Sequence, residues 1–413
     1  MSSVAAMADL LAIADAWVTR ERVRNYSLML LAGYAMATVV ELLLLRRGLD
    51  PFGKPLGADF IIFYSASSLA LTGKAVLAYL PSALLAVQHT LAAPTHGQFL
   101  WCYPPTFQLL ILPLALAPYR IALLLWTAVT GGLYLTMTRL ISPTRMGLLL
   151  ALAFPAVFLN LSQGQNGFLT AALLGSGLLL LDRRPWLSGV LFGLLIYKPH
   201  FGVLLPLLLL ASGRWRSILA AAITGVLFTA AATALFGIDA WRSFFATLPT
   251  VAHNLATGAL PLFKVPSLYA ALRLLGAPHA AALAGHLLFA LPFVGLTVIA
   301  WRRPGPLPLK AGLAVLATLI LSPYLFDYDL VLLAVPIGAL VVHGRTAPSP
   351  TGTRALLVLA FAAPMLLEPL ASELHLQLMP LVFAACFGAT WRSLASPRTV
   401  RRDAASEGEP RLA

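Results

Sequence analysis

From Ile121 to its C-terminus the chain alternates apolar segments with connections of two kinds, and this alternation constrains the fold more than any motif. One set is basic: TRLISPTR, LDRRP, SGRWR, WRRPGPLPLK, HGRTAPSPTGTR and the tail that begins WRSLASPRTVRR. The other is polar or aromatic with few basic residues: LSQGQN, IYKPHF, the stretch from Gly237 to His279, SPYLFDYD and EPLASELH. The two kinds take strict turns, as successive crossings of one membrane require, and Lys and Arg mark the cytoplasmic side. The N-terminal segment and the basic set together hold 19 of the 28 Lys and Arg. Composition agrees: with 60% hydrophobic residues, 10% charged and a mean hydropathy of +0.86, the chain has too little polar surface to coat a soluble globule. A polytopic all-α membrane protein follows. Its net charge of +13 is accounted for by basic cytoplasmic loops and lipid headgroups, so no nucleic-acid partner is expected. Cys102 and Cys386 stand far apart in no CxxC or Cys/His cluster, which points to neither a disulfide nor a zinc site.

The segment 1–25 reads as an amphipathic cytoplasmic helix, because Asp9 and Asp15 interrupt its apolar run and Arg20, Arg22 and Arg24 follow that run. Tyr26 to Leu45 is the first clear span, and 26–392 reads as a single transmembrane domain. Its first outer loop, 46–119, has short apolar pieces punctuated by Gly and Pro, expected to be surface-lying helices. Within it YPPTFQLLILPLALAPYR carries four prolines and reads as re-entrant or interfacial. That assignment gives about twelve spans with both ends in the cytoplasm, a second large outer loop at 237–279, and a basic, disordered cytoplasmic tail at 393–413. Leu187 to Tyr197 and Phe201 to Ser212 are short spans joined through the KPH turn, a sign of a thinned, hydrated pocket on the outer face.

Outer-face chemistry has few carboxylates to draw on: Asp50, Asp59, Asp239, Asp327, Asp329, Glu368 and Glu373. Asp59, in GADFIIFYSAS, is the first candidate for a general base, since an apolar setting raises its proton affinity; it can equally cap the helix starting at Phe60. Gln163, Gln165 and Asn166 arrive together before a span, where amides can bind a sugar hydroxyl or a phosphate oxygen, or simply cap. Lys198 and His200 lie deep on the side disfavoured for positive charge and call for an anionic partner, a lipid phosphate or, by snorkelling, ordinary headgroups. Tyr324, Asp327, Tyr328 and Asp329 form an acidic, aromatic corner; no further acids at metal-ligand spacing accompany it, so no metal or other cofactor is expected. Tyr64, one turn on from Phe60, and Tyr103, at the head of YPPTF, complete the expected substrate-binding set. His253, Lys264 and Arg273 add possible acceptor contacts.

In order, DFxxFYxAS, YPPTFQLLILPLA, GQNGFLTAALL, SGVLFGLLIYKPHFGVLLPLLLL with RWR, and SPYLFDYDLVLL resemble the GT87 family of membrane glycosyltransferases, within the GT-C superfamily. The resemblance implies a GT-C fold with juxtamembrane helices in the first outer loop and an essential acid there, matched by Asp59. It implies transfer of a sugar, usually mannose, from a polyprenyl-phosphate donor to a hydroxyl of a glycolipid or glycan acceptor outside the cytoplasmic membrane, with inversion. It places Lys198, with His200, at the donor phosphate, and the GQN segment at the same cavity. Many relatives carry histidine in the last motif, where this chain has Tyr324, Asp327, Tyr328 and Asp329. A lipid-linked sugar transporter or flippase, and an O-antigen polymerase or ligase-like enzyme with its site in the 237–279 loop, are the alternatives.

Overall fold

The structure, a computed structural model, describes residues 3–46, 48–92, 100–347 and 349–395. The tail expected at 393–413 lies outside them from residue 396 onward, as do residues 1–2 of the N-terminal segment. Among the described residues every regular element is a helix, and the β pairing consists of two isolated bridges, Arg46 with Leu49 and Leu49 with Pro55.

Five helices are long and apolar enough to cross a bilayer by themselves: Arg20–Leu44, Tyr119–Ile141, Trp215–Phe236, His279–Arg302 and Thr353–Glu373. Arg145–Ala153 and Pro155–Gln163 make a sixth if taken as one span bent by 53°. The bend has a local cause. Pro155 lacks an N–H and forces Phe154 out of helical geometry, to φ −61 and ψ 122. Length alone therefore supports five or six crossings, fewer than the twelve expected from the charge pattern. The shorter apolar helices explain the difference. Gly167–Leu180 and Leu307–Leu321 have 14 and 15 residues, about 21–23 Å of helix against a hydrocarbon core of about 30 Å. Apolar all round, they are buried on nearly every side, as helices at the centre of a bundle must be. The long helices carry most of their apolar side chains outward; in Arg20–Leu44 Ser27 is the only buried residue.

Two expectations need correcting, and one, the outer loop at 237–279, gains detail. Phe60–Leu71 is not a surface-lying helix: nine of its residues are buried, with Phe60 and Phe63 fully enclosed. An apolar helix reads the same whether lipid or protein covers it. The helix Pro105–Ile111 and its 3-10 continuation Leu112–Leu116 cover it, tied down by Gln108 Nε2 to the Ala66 and Ala75 carbonyls (3.3 and 3.0 Å) and by Ser67 Oγ to the Leu112 carbonyl (2.8 Å). The 237–279 stretch is largely helical, with Ile238–Thr257 and Leu268–Leu274. Second, the N-terminal helix Ser3–Trp17 ends before the arginines, and Arg20 already begins the first long helix behind a Thr19 cap. Asp15 docks it on the bundle by accepting from the N–H groups of Gly352 (2.7 Å) and Ala355 (2.9 Å) at the start of Thr353–Glu373.

The short pair around the KPH turn is held by close helix contact. Gly189 and Gly193, four apart, face Trp215–Phe236, where a Cβ on Gly189 would lie 2.4 Å from the Ser217 carbonyl oxygen and one on Gly193 2.5 Å from Thr224 Cβ. The helix Pro185–Leu194 then dissolves into 3-10 turns at Leu195–Tyr197 and Pro199–Phe201, leaving Lys198 between them with φ −137.

Candidate active site

Asp59 occupies the N-cap position of Phe60–Leu71 but does not cap it. Its backbone is already helical (φ −78, ψ −15) and its carboxylate takes no bond from the helix N–H groups. The preceding Ala58 sits at φ +31, a conformation costing a non-glycine residue about 1–3 kcal/mol and tolerated where the surroundings impose it. The carboxylate is thereby turned toward the QGQN segment, where its Oδ2 accepts from Gln165 Nε2 at 2.9 Å, while the Asp59 N–H donates to the Gln163 carbonyl at 3.1 Å.

That segment is a left-handed turn closing Pro155–Gln163. Gly164 has φ +60, and a Cβ there would meet Phe60 Cβ at 2.7 Å, so both the turn and the approach of the Asp59 helix require glycine. Asn160 clamps the turn, donating from Nδ2 to the Gln165 carbonyl (3.0 Å) and accepting the Phe168 N–H on Oδ1 (3.1 Å). Asn160 is not among the residues expected from sequence; only its burial, 1% exposed in an otherwise apolar stretch, reveals the role. Gly167 lets the next helix pass against the acidic corner, since a Cβ there would lie 2.3 Å from the Tyr328 carbonyl oxygen.

Each amide of the segment holds a charged group. Gln163 Nε2 donates to Asp327 Oδ2 (3.0 Å), Gln165 to Asp59, and Asn166 Oδ1 accepts from Lys198 Nζ (3.0 Å). The anionic partner that Lys198 needs is Asp329, at 2.6 Å, both side chains being almost wholly buried. Lys198 also lies over the Tyr328 and Phe201 rings, at 4.9 and 5.1 Å. His200 packs its ring on Tyr324 with centroids 5.0 Å apart. Tyr103 stacks among Trp101, Phe63 and Phe107, close enough to the cluster to feel the charges of Asp329 and Asp59.

The structure thus gathers Asp59, Gln163, Gln165, Asn166, Lys198, Asp327 and Asp329, with His200, Tyr324 and Tyr103 against them. Tyr64 stands apart, its hydroxyl spent on the Ala117 carbonyl at 3.0 Å. Arg273 is likewise used locally, on the carbonyls of Ala256 and Ala277. Within the cluster, Asn166 Nδ2 is buried without a hydrogen bond of full geometry, the Tyr103 hydroxyl being close enough to draw on it weakly, so a ligand oxygen would be a better partner.

The acids differ in access. Asp327 and Asp329 are each 1% exposed, whereas Asp59 as a residue is only partly covered. Burial pushes the Asp59 carboxyl above the usual carboxylate range, and the Gln165 hydrogen bond and the charges of Lys264 and Lys54 pull it partly back. Burial pushes Asp327 up to about 6, again against Lys264 and Gln163. The Lys264 charge therefore acts on both acids, yet Lys264 forms no ion pair among the described residues. Its position is set from both sides: the Val265 carbonyl accepts from Gln377 Nε2 (3.1 Å) and Ser267 Oγ donates to the Pro323 carbonyl (2.7 Å).

A carboxylate of raised proton affinity on a partly exposed residue, a lysine whose charge acts on it and a weakly bonded amide donor can deprotonate a hydroxyl and receive an anion. Residues 101–323, just over half of the chain, match the sequence model of Glycosyltransferase family 87. The chain belongs to glycosyltransferase family 87. No curated protein and no solved structure matches it significantly. As a family 87 member the protein is a glycosyltransferase, with a sugar donor and an acceptor as substrates. The matched region holds Tyr103, the QGQN segment, Lys198, His200 and Lys264; Asp59 and the Asp327–Asp329 corner lie outside it and join the family 87 region through Gln165, Gln163 and Lys198.

Proposed function

We propose that this family 87 glycosyltransferase moves a hexose, mannose in the first instance, from a polyprenyl phosphate to a hydroxyl of a lipid or glycan acceptor on the outer face of the cytoplasmic membrane. Asp59 takes the proton of the acceptor hydroxyl. The new bond to the sugar C1 forms as the C1–O bond to phosphate breaks, configuration inverts, and polyprenyl phosphate leaves as an anion. The observation that carries the reading is the Asp59 carboxylate, which is held by Gln165 and not by its own helix, sits on a partly exposed residue and has raised proton affinity.

The departing phosphate needs a cation. Lys198, assigned to it by family resemblance, has its charge already matched by Asp329; beyond the N–H groups given to Asp329 and Asn166 it keeps a third. We assign the main phosphate charge to Lys264, with Asn166 Nδ2 donating to a phosphate or sugar oxygen. His200, Tyr324 and Tyr103 form the sugar-facing wall. For the topology, the short central helices are read as crossings alongside the long ones, which gives the twelve spans of a GT-C bundle with both termini cytoplasmic.

The test is transfer from radiolabelled polyprenyl-phosphate mannose to membrane acceptor by purified Asp59→Asn protein in nanodiscs. Loss of labelled product, with wild-type elution and thermal stability, supports Asp59 as the base; full turnover would sink the assignment.

A further inference from the structure

A large cavity lies away from the acidic cluster, around the arginines of the first long helix. Its walls come from the start of Arg20–Leu44, the end of Tyr119–Ile141, the start of Arg145–Ala153, the end of Ala334–His343 and the start of Thr353–Glu373. Tyr119–Ile141 begins near the Asp59 helix, through the Tyr119 hydroxyl bond to the Leu56 carbonyl, and ends at the cavity. Along that helix the cavity lining runs from Tyr134 to Ile141, about 22 to 33 Å beyond Tyr119.

The cavity has a volume of about 950 Å³, at the top of the range of roughly 300–1,000 Å³ for small-molecule sites. Leu150, Val341 and Phe361 are among its apolar walls, and Arg20, Arg22, Arg345 and Arg354 stand around it. None of the four arginines has an ion-pair partner among the described residues. The single lining acid, Asp15, already has both oxygens engaged by the Gly352 and Ala355 N–H groups. Arg22 lies over the Trp17 ring (4.8 Å), which stacks on Tyr26 (5.8 Å), an aromatic pair of the kind found at a headgroup boundary.

An apolar chamber ringed by unmatched guanidinium groups at membrane-surface depth fits an amphiphile with an anionic head, and guanidinium is the side chain best suited to phosphate. We propose that this cavity is a binding site for an anionic glycerophospholipid, its phosphate held by the arginines and an acyl chain against the apolar walls. The site is separate from the transfer chemistry.

Native mass spectrometry of the full-length protein in non-ionic detergent tests it, with dioleoyl-phosphatidylglycerol and dioleoyl-phosphatidylcholine titrated in parallel. Phosphatidylglycerol should be retained at several-fold lower concentration, and Arg345→Gln/Arg354→Gln should raise its half-saturating concentration about tenfold or more. Thr351→Glu, an exposed lining position given a negative charge, should weaken the same adduct with all arginines in place. Excess inorganic phosphate should leave the adduct bound. Equal retention of the two lipids, an unchanged response in both variants of intact fold, or displacement by inorganic phosphate would overturn the proposal.

Discussion

The two ends of the bundle handle charge in opposite ways. At one end Asp327, Asp329 and Lys198 are at most 4% exposed, and each has a named partner; at the other, four arginines stand exposed around a cavity whose one acid among the described lining residues, Asp15, is already engaged. A charge taken out of water costs several kcal/mol unless it is paired and hydrogen-bonded, so the buried end had to become a network. An exposed arginine carries no such requirement. The difference separates a surface built to hold charges in fixed positions from one built to receive a charge from outside. Asp59 and Lys264 are intermediate: fixed by their surroundings, but not consumed by a partner of opposite charge.

The largest effect expected within this contrast is on catalysis. Asp59→Asn should reduce turnover by about 10²–10⁴-fold with little change in unfolding temperature, because asparagine retains the contact with Gln165. Lys198→Met should instead strike stability, by about 3–5 kcal/mol, since it strands Asp329 as a buried, unpaired acid. Adding Asp329→Leu to it should restore much of that loss in thermal unfolding. If both single variants behave like surface changes, the buried end is not a network. Gly164→Ala, which forces a side chain into the left-handed turn and against Phe60, should cost about 1–3 kcal/mol by the same assay and lower transfer through misplaced Gln165.

The smallest effect is the most discriminating. The proton affinity of Asp59 is raised by burial and lowered by Lys264, and the base must be deprotonated to act. Transfer should therefore fade as pH falls through a value above the ordinary aspartate range of about 4. Lys264→Gln removes a lowering charge, so the acid limb of kcat/KM should move to higher pH, with turnover down about tenfold from loss of the phosphate cation. An acid limb that stays in place would detach Lys264 from the site.

Much of this arrangement was legible in the amino-acid sequence, for a physical reason. Polar residues in an apolar chain are costly, so each cluster of them, at Asp59, Gln163–Asn166, Lys198 and Asp327–Asp329, had to be doing something, and the structure brings all of them to one place. What was not legible was their pairing. Spacing cannot reveal that Lys198 meets Asp329, or that Asp59 turns away from the helix it begins, because both depend on contacts between distant segments. Nor could Asn160 stand out, as a lone amide in a helix usually faces a neighbour or solvent. The burial of Phe60–Leu71 was hidden because lipid and protein interiors select the same residues.

The 53° bend at Phe154–Pro155 has a mechanical meaning. The nine-residue arm on one side of it ends at Gln163, which holds Asp327, while the arm on the other side lines the arginine cavity. An arm of nine residues is about 13 Å long, so a change of roughly 5° at that elbow swings its tip by about 1 Å, a displacement on the scale that costs an enzyme about a hundredfold in rate. One proline-bent helix pair thus reaches both the acidic corner and the arginine cavity.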